Sequence, residues 1–303
     1  MAELLNDTAV LATLRARDAV QWMKEATVAA HRGHLHAPAR VRADIGAGSL
    51  VVTAGHLDGR WYGYRAYDTF GLVAGEQVVV VHDAELGRVH AMSVGTELGP
   101  RRTGAIGGAA ADTLATAEAT RLGLIGAGTQ AWTQLWAIDA VRELEAVRVF
   151  TRDPAHAEGF ARRAREQLGL DCTVSRSARD AVDGADLVVC ATTSENPVIA
   201  YDWLAPGTYV ATLGPKQQGR HEVDAELLEA ADVVVTDSRA QALGYDPPST
   251  IVGTRVEDHL QELGAVLDGA ATGRTSHDQT CVFYSVGLAG TEPYLLAKLT
   301  GLG

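Results

Sequence analysis

The run Gly126-Ala127-Gly128-Thr129-Gln130-Ala131 has the residue types and spacing to cradle a pyrophosphate. It follows an aliphatic stretch ending in Leu124-Ile125 and opens a segment of helical pattern. In this G-x-G-x-x-A arrangement the first glycine permits a tight turn and the second lets the backbone approach the phosphates. The small last residue allows close helix–strand packing. A helix starting at Thr129, Gln130 and Ala131 would add free N–H groups and a partial positive charge. The end of the next strand then selects the nucleotide, and here it reads Phe150-Thr151-Arg152-Asp153. Thr151 stands where an acid would hold a ribose 2′-hydroxyl, and Arg152 suits a 2′-phosphate. The expectation is NADP, opposed by the charge of Asp153, with NAD the alternative.

Two textures of sequence surround this loop. Residues 8–33 carry a helical pattern through Leu11, Leu14, Val20, Met23 and Ala26. Strand-like runs follow at 49–53, 61–67, 77–82 and 89–93, separated by glycine turns, and predict antiparallel hairpins. A small-residue stretch at 103–120 predicts a closely packed helix. Beyond it, strands at 122–125, 147–150, 172–175, 187–191, 209–213 and 233–236 alternate with helical segments at 129–141, 155–168, 178–183 and 225–230. That alternation is the rhythm of a parallel sheet with right-handed crossovers. Residues 276–302 read as a loop and a helix. The fold class is therefore α/β: a doubly wound Rossmann domain plus an α+β domain.

Composition excludes several classes of function. A chain of 303 residues has room for two domains. The formal charge of −12 argues against nucleic acid or an anionic membrane as partner, since both select a basic footprint. No apolar run approaches the ~20 residues of a membrane helix, and the start lacks a signal-peptide pattern, so the expected location is the cytoplasm. Cys172, Cys190 and Cys281 are too scattered for a disulfide framework or a zinc site. His31, His34 and His36 are close in sequence, but Gly33 and Pro38 suggest a helix ending there, and no metal site is expected. No G-x-S-x-G element points to a hydrolase.

Several segments in order resemble the ornithine cyclodeaminase and mu-crystallin family. They are Pro38-Ala39-Arg40, the hairpin ending Asp83–Gly87, Arg101-Arg102-Thr103-Gly104-Ala105, the Gly126 loop and Thr193–Pro197. Pro206-Gly207-Thr208, Leu213-Gly214 through Glu222-Val223-Asp224, and Phe283–Ala289 complete the series. The resemblance implies a substrate-binding and dimerisation domain, residues 1–118 with 284–303, clasping a dinucleotide domain, 119–283. It also implies a homodimer built through the substrate domains. The chemistry it implies is hydride transfer between a nicotinamide and the Cα of an amino acid or its imine. Thr192, Thr193, Leu213 and Gly287 are further cofactor contacts that it implies.

In that family two arginines hold the substrate carboxylate, a lysine lies beside the reacting centre, and an aspartate serves the amine. Arg40 and Arg102 match the arginines, with Arg42 close enough to stand in for Arg40. A guanidinium fork grips a carboxylate bidentately and so fixes Cα. The lysine position is Arg65, which binds charge but does not shuttle protons. Tyr64, Tyr67, Asp68 and His56 are then the candidate bases. The aspartate position is Lys216. Unless it points into solvent, a lysine there opposes a substrate ammonium, and a second cationic end disfavours ornithine. Arg65, Arg102 and Lys216 are the expected catalytic set. A pocket with both added cations suits a dicarboxylate or an amino-acid conjugate.

The sequence thus predicts an NAD(P)-dependent oxidoreductase acting at a carbon–nitrogen centre of a carboxylate-bearing amino acid or imine. Two rivals stand beside it: a cyclodeaminase-type lyase that recycles its own cofactor, and a non-catalytic NADPH-binding protein.

Overall fold

The computed structural model describes residues 2–302 and divides into two compact units. The first runs to Ile106 and resumes at Gly287; the second is Gly107–Val286. The expected boundaries lay at 118/119 and 283/284. The helix α3 (Leu98–Leu114) contributes to both units, which is why no composition shift marks the first boundary.

The first unit is a sheet covered on one face by helices. Its elements are β1 (Glu3–Leu5), α1 (Asp7–Thr13), α2 (Ala16–His31), β2 (Leu35–His36), β3 (Val41–Asp44) and β4 (Ser49–Leu57). They continue with β5 (Trp61–Asp68), β6 (Gln77–Asp83), β7 (Val89–Gly95) and the first half of α3. The sheet order is β1-β7-β6-β5-β4-β2, with β3 also on β4; β1 runs parallel to β7 and the other pairs are antiparallel. Alternation buries Val51, Thr53, Trp61, Val79 and Ala91 on one face. The C-terminal helix, Thr291–Leu299, fills that face. Its residues 291–297 are all buried, apolar ones for the most part together with Thr291 and Glu292. Trp61 meets Tyr294 edge-on, with ring centroids 6.0 Å apart.

Two readings of this unit need correction. The helical pattern at 8–33 is two helices, because Leu14 and Arg15 are extended, and Leu14 turns into the core. Periodicity alone does not register a two-residue break. The small-residue helix starts at Leu98, not at 103, and ends at Leu114. Gly99-Pro100 reads as a turn, yet a proline in the first turn gives up an N–H that has no helical partner anyway. The shift places Arg101 and Arg102 on the helix itself.

The second unit is a parallel sheet. It contains β8 (Arg121–Ile125), α4 (Thr129–Asp139), β9 (Ala146–Phe150), α5 (Pro154–Leu168), β10 (Cys172–Val174), α6 (Ala178–Val182) and β11 (Leu187–Cys190). Then come β12 (Tyr209–Thr212), the small hairpin β13 (Lys216–Gln217) and β14 (Arg220–His221), α7 (Ala225–Ala230), β15 (Val233–Thr236), β16 (Gln261–Glu262) and β17 (Cys281–Tyr284). The order is β10-β9-β8-β11-β12-β17-β15-β16, every pair parallel. Strands β11, β12, β15 and β17 are buried throughout, as strands covered on both faces are. Strand β17 corrects the reading of residues 276–302 as a loop and a helix. Four apolar residues without alternation carry no period, so a short buried strand looks like any apolar run. All three cysteines are buried and unbridged.

Packing in the first unit is tight where β4 meets the start of the C-terminal helix. A Cβ added at Gly55 would collide with the Cα of Gly290, a backbone contact with no side chain to move aside. We expect Gly55→Ala to cost about 1–3 kcal/mol. Thermal unfolding should then show a midpoint lowered by roughly 2–4 °C per kcal/mol; an unchanged midpoint would show that the two backbones separate freely.

Candidate active site

The strand order of the second unit reverses between β8 and β11, and the crevice outside such a switch point is where open parallel sheets bind ligands. A cavity of about 390 Å³ lies there, lined by Gly126, Ala127, Gly128, Phe150, Thr151 and Arg152, and on its other side by Thr192 and Thr193. Gly126 takes φ +107°, and its N–H donates to Phe150 O at 2.8 Å; a Cβ would strike the carbonyl of Ala191. Gly128 differs, because a Cβ there would meet nothing within 4 Å. Gly128 is also the N-cap of α4, and no side chain caps the first turn at Thr129, Gln130 and Ala131. Open space before an uncapped helix start could hold a pyrophosphate. Asp153 is engaged by the next helix, where it caps α5 and accepts from Ala155 N at 3.0 Å.

A single carboxylate organises the adjoining strand ends. Glu222 is fully buried and accepts from Thr192 N at 2.9 Å, Thr192 Oγ1 at 2.8 Å and Thr212 Oγ1 at 2.8 Å. It also accepts from the backbone N–H groups of Leu213 and Gly214. Five donors on one carboxylate fix the carboxyl ends of β11 and β12 together, and such charge-assisted bonds are the strong ones. Lys216 sits beside this network and is only 2% exposed, so it does not point into solvent. Its Nζ donates to Gly214 O at 2.8 Å and stands 5.4 Å from the ring centre of Tyr284. Burial pushes the Lys216 ammonium down to about 8, although Glu222 and Asp237 pull it upward. A lysine in that range can give and retake a proton near neutral pH.

The first unit holds the arginines. Arg65 Nη1 meets Glu292 Oε1 at 2.6 Å, and Arg102 Nη2 bonds the same oxygen. Glu292 is fully buried; burial pushes its carboxyl up, but Arg102 and Arg65 hold it below the usual range. A buried carboxylate without partners would be strongly destabilising, so the two guanidiniums are required by the fold. They are not saturated: Nε of Arg65, Nε of Arg102 and Oε2 of Glu292 are buried without a protein partner. A Cβ added at Gly287 would lie 3.5 Å from Arg102 Nη1 and 3.8 Å from Arg40 Nη2, so both guanidiniums flank that glycine.

The structure therefore sorts the expected residues into two groups. Arg40, Arg65, Arg102 and Gly287 stand together in the first unit; the Gly126 loop, Thr151, Arg152, Thr192, Thr193, Leu213 and Lys216 belong to the second. Gly287, expected among the cofactor contacts, is beside arginines. Arg42 donates from Nε to Ser49 Oγ at 2.9 Å. Of the candidate bases, Tyr67 lies under the Arg65 guanidinium, 4.2 Å from its ring centre. Asp68 accepts from Phe70 N in a turn, and His56 stacks on His36. Sequence reasoning missed Glu292 and Glu222. Glu292 had a readable signal, a lone acid in an apolar C-terminal run just beyond Phe283–Ala289.

Gly128 gives a clean test of the crevice. Gly128→Ala should leave unfolding of the protein alone within about 0.5 kcal/mol. Its NADH and NADPH affinities, read by fluorescence titration, should fall about tenfold or more, which is ~1.4 kcal/mol. Unchanged affinity would remove the loop from the binding site.

Known proteins are similar to this chain in sequence and fold. The mouse (Mus musculus) ketimine reductase mu-crystallin is 29% identical over 90% of this chain and 81% of its own. The structure of Thermococcus litoralis Δ(1)-pyrroline-2-carboxylate reductase with NADH and L-proline superposes with TM-score 0.88 at 26% identity, covering 98% of this chain and 96% of that one. An archaeal alanine dehydrogenase dimer with bound NAD does so with TM-score 0.88 at 26% identity, covering 99% and 95%. The profile of the ornithine cyclodeaminase/mu-crystallin family matches residues 3–297. This chain belongs to the ornithine cyclodeaminase/mu-crystallin family.

Proposed function

We propose that this protein is an NAD(P)H-dependent oxidoreductase that reduces the C=N bond of a carboxylate-bearing imine, or runs the reverse oxidation of the amino acid. The observation that carries the reading is the convergence of Arg40 and Arg102 on Gly287, two guanidiniums placed to grip one carboxylate. The relatives act on this class of compound, as their names state, and one solved neighbour holds NADH and L-proline. The cyclodeaminase reading is not favoured, because Arg65 and Lys216 stand where a cyclodeaminase of this family would carry its lysine and aspartate.

Arg102 and Arg40 would take the substrate carboxylate between them and thereby fix the neighbouring carbon. Arg65 acts through Glu292, whose charge offsets one of the two that Arg65 and Arg102 bring, leaving one net positive charge among the three. With Arg40 beside them the group carries two net positive charges, which suits a dicarboxylate or an amino-acid conjugate as well as a monocarboxylate. Lys216 Nζ is the group suited to supply the proton to the nitrogen as it becomes an amine. It has a lowered proton affinity and sits at the carboxyl end of β12, where ligands of such sheets bind. A nicotinamide dinucleotide, when bound, supplies the hydride. The Gly126 loop and α4 would hold its pyrophosphate, with Thr192, Thr193 and Leu213 lining the approach. Thr151 and Arg152 favour NADP, and the engagement of Asp153 as a helix cap weakens the objection to it.

A homodimer is part of the proposal. Leu4, Val41, Leu50, Tyr62 and Tyr64 are all exposed by 38% or more, and they share the outer sheet face of the first unit. Exposed apolar side chains gathered on one sheet face suit an interface, and one solved neighbour is a dimer. We also place the protein in the cytoplasm, which three unbridged cysteines suit.

The defining experiment follows nicotinamide absorbance with a cyclic five-membered imine carboxylate, an open-chain ketimine and pyruvate plus ammonia. Oxidation of NADPH with at least one, faster than with NADH, is expected; no oxidation of either would reject the reading. With such a substrate, imine reduction should slow as pH rises through about 8 and Lys216 loses its proton. Lys216→Met should lower kcat by about 10²–10⁴-fold, the scale of a lost general acid, and abolish that limb; a limb that persists would clear Lys216. Glu292→Gln removes the charge between the arginines. It should raise kcat/KM for a dicarboxylate relative to a monocarboxylate by about tenfold, and an unshifted ratio would show that Glu292 does not set substrate charge.

A further inference from the structure

Strand β2 and the end of β4 build a second polar cluster from residues that the proposed reaction does not use. The register pairs Leu35 with Leu57 and His36 with His56, and Asp58 N donates to His34 O at 3.1 Å. Alternate residues of a strand share a face. His34 and His36 therefore project beside His56 and Asp58, while Leu35 turns into the core. The result is a four-cornered grid, with His34 opposite Asp58 and His36 opposite His56.

The atoms converge. His36 Nε2 is 2.8 Å from Asp58 Oδ1, His56 Nδ1 is 4.0 Å from the same oxygen, and His34 Nδ1 is 3.7 Å from Oδ2. One ligand atom from each of His36, His56 and Asp58 lies within 4.8 Å of the others. The His36 and His56 rings stack with centroids 5.5 Å apart and planes 18° from parallel. All three imidazoles act on one carboxylate, and the hydrogen bond from His36 above all holds Asp58 below the usual carboxylate range.

We propose that His34, His36, His56 and Asp58 form a binding site for a divalent transition metal of the zinc class. Three imidazoles and one carboxylate are a donor set that zinc, nickel and cobalt accept, whereas calcium and magnesium prefer oxygen alone. Zinc bonds of ~2.0–2.2 Å set tetrahedral ligand atoms about 3.3 Å apart. The ligand atoms of His36, His56 and Asp58 lie within 4.8 Å of one another, and exposed side chains would rotate to close that spacing, with His34 joining from the far oxygen of Asp58. The ion would staple the two-residue edge strand β2 to β4. The sequence hides this site, because of the near neighbours His31, His34 and His36 only the last two take part. His31 ends α2, and the missing ligands come from the next hairpin.

The test uses the full-length protein, freed of metal by a chelator and titrated with Zn²⁺ at pH 7.5 by calorimetry. Co²⁺ serves as a spectroscopic probe whose visible bands report four-coordination. One equivalent per chain should bind. His36→Gln and His56→Gln should each weaken binding by more than the ~10-fold that even an outer-shell change costs a metal site. Asp58→Asn, which keeps the shape of the corner, should do the same, while His90→Gln, outside the grid, should not. Circular dichroism checks that each variant is folded. Absence of saturable binding, or binding equal in wild type and both histidine variants, overturns the proposal.

Discussion

The first unit depends on one buried ion cluster. Glu292 enters the core in the first turn of the C-terminal helix, where a negative charge also favours the helix dipole. It remains charged there because Arg65 from β5 and Arg102 from α3 meet it. Three elements far apart in sequence are thus bound to one point by electrostatics, since losing any partner would strand a charge inside the protein. Arg102, which holds Glu292 in the core, is also one of the two arginines proposed to grip the substrate carboxylate.

The second unit repeats this logic with a different residue. Glu222 gathers five donors from the ends of β11 and β12, and the buried Lys216 stands next to it over Tyr284. The parallel sheet brings those strand ends to the crevice, and the carboxylate holds them in register there. An ammonium in such surroundings loses part of its proton affinity through burial, which turns a structural lysine into a group that can exchange protons.

Much of this was legible in the sequence, and for identifiable reasons. The Gly126 loop was readable because its glycines answer to backbone demands that few other sequences meet. The hairpins of the first unit and most strands of the second carried period-two or continuous aliphatic patterns. Strand β17 was not legible, because four buried residues have no period, and β1 was too short to show one. Arg40, Arg65 and Arg102 could be named as a set, but not the shared dependence of Arg65 and Arg102 on Glu292, which is a fact of three-dimensional contact. The histidine grid on β2 and β4 was hidden for the same reason: strand register, not spacing along the chain, brings its corners together.

The central claim is reduction at a carbon–nitrogen centre, and isotope transfer tests it most directly. The protein would be given NADPH deuterated at the reactive nicotinamide carbon, an imine carboxylate and buffer, and the product examined by mass spectrometry and NMR. The account predicts one deuterium per turnover, on the carbon that bears both the nitrogen and the carboxylate, with equal loss of NADPH. Release of ammonia without net NADPH consumption, or unlabelled product, would contradict it.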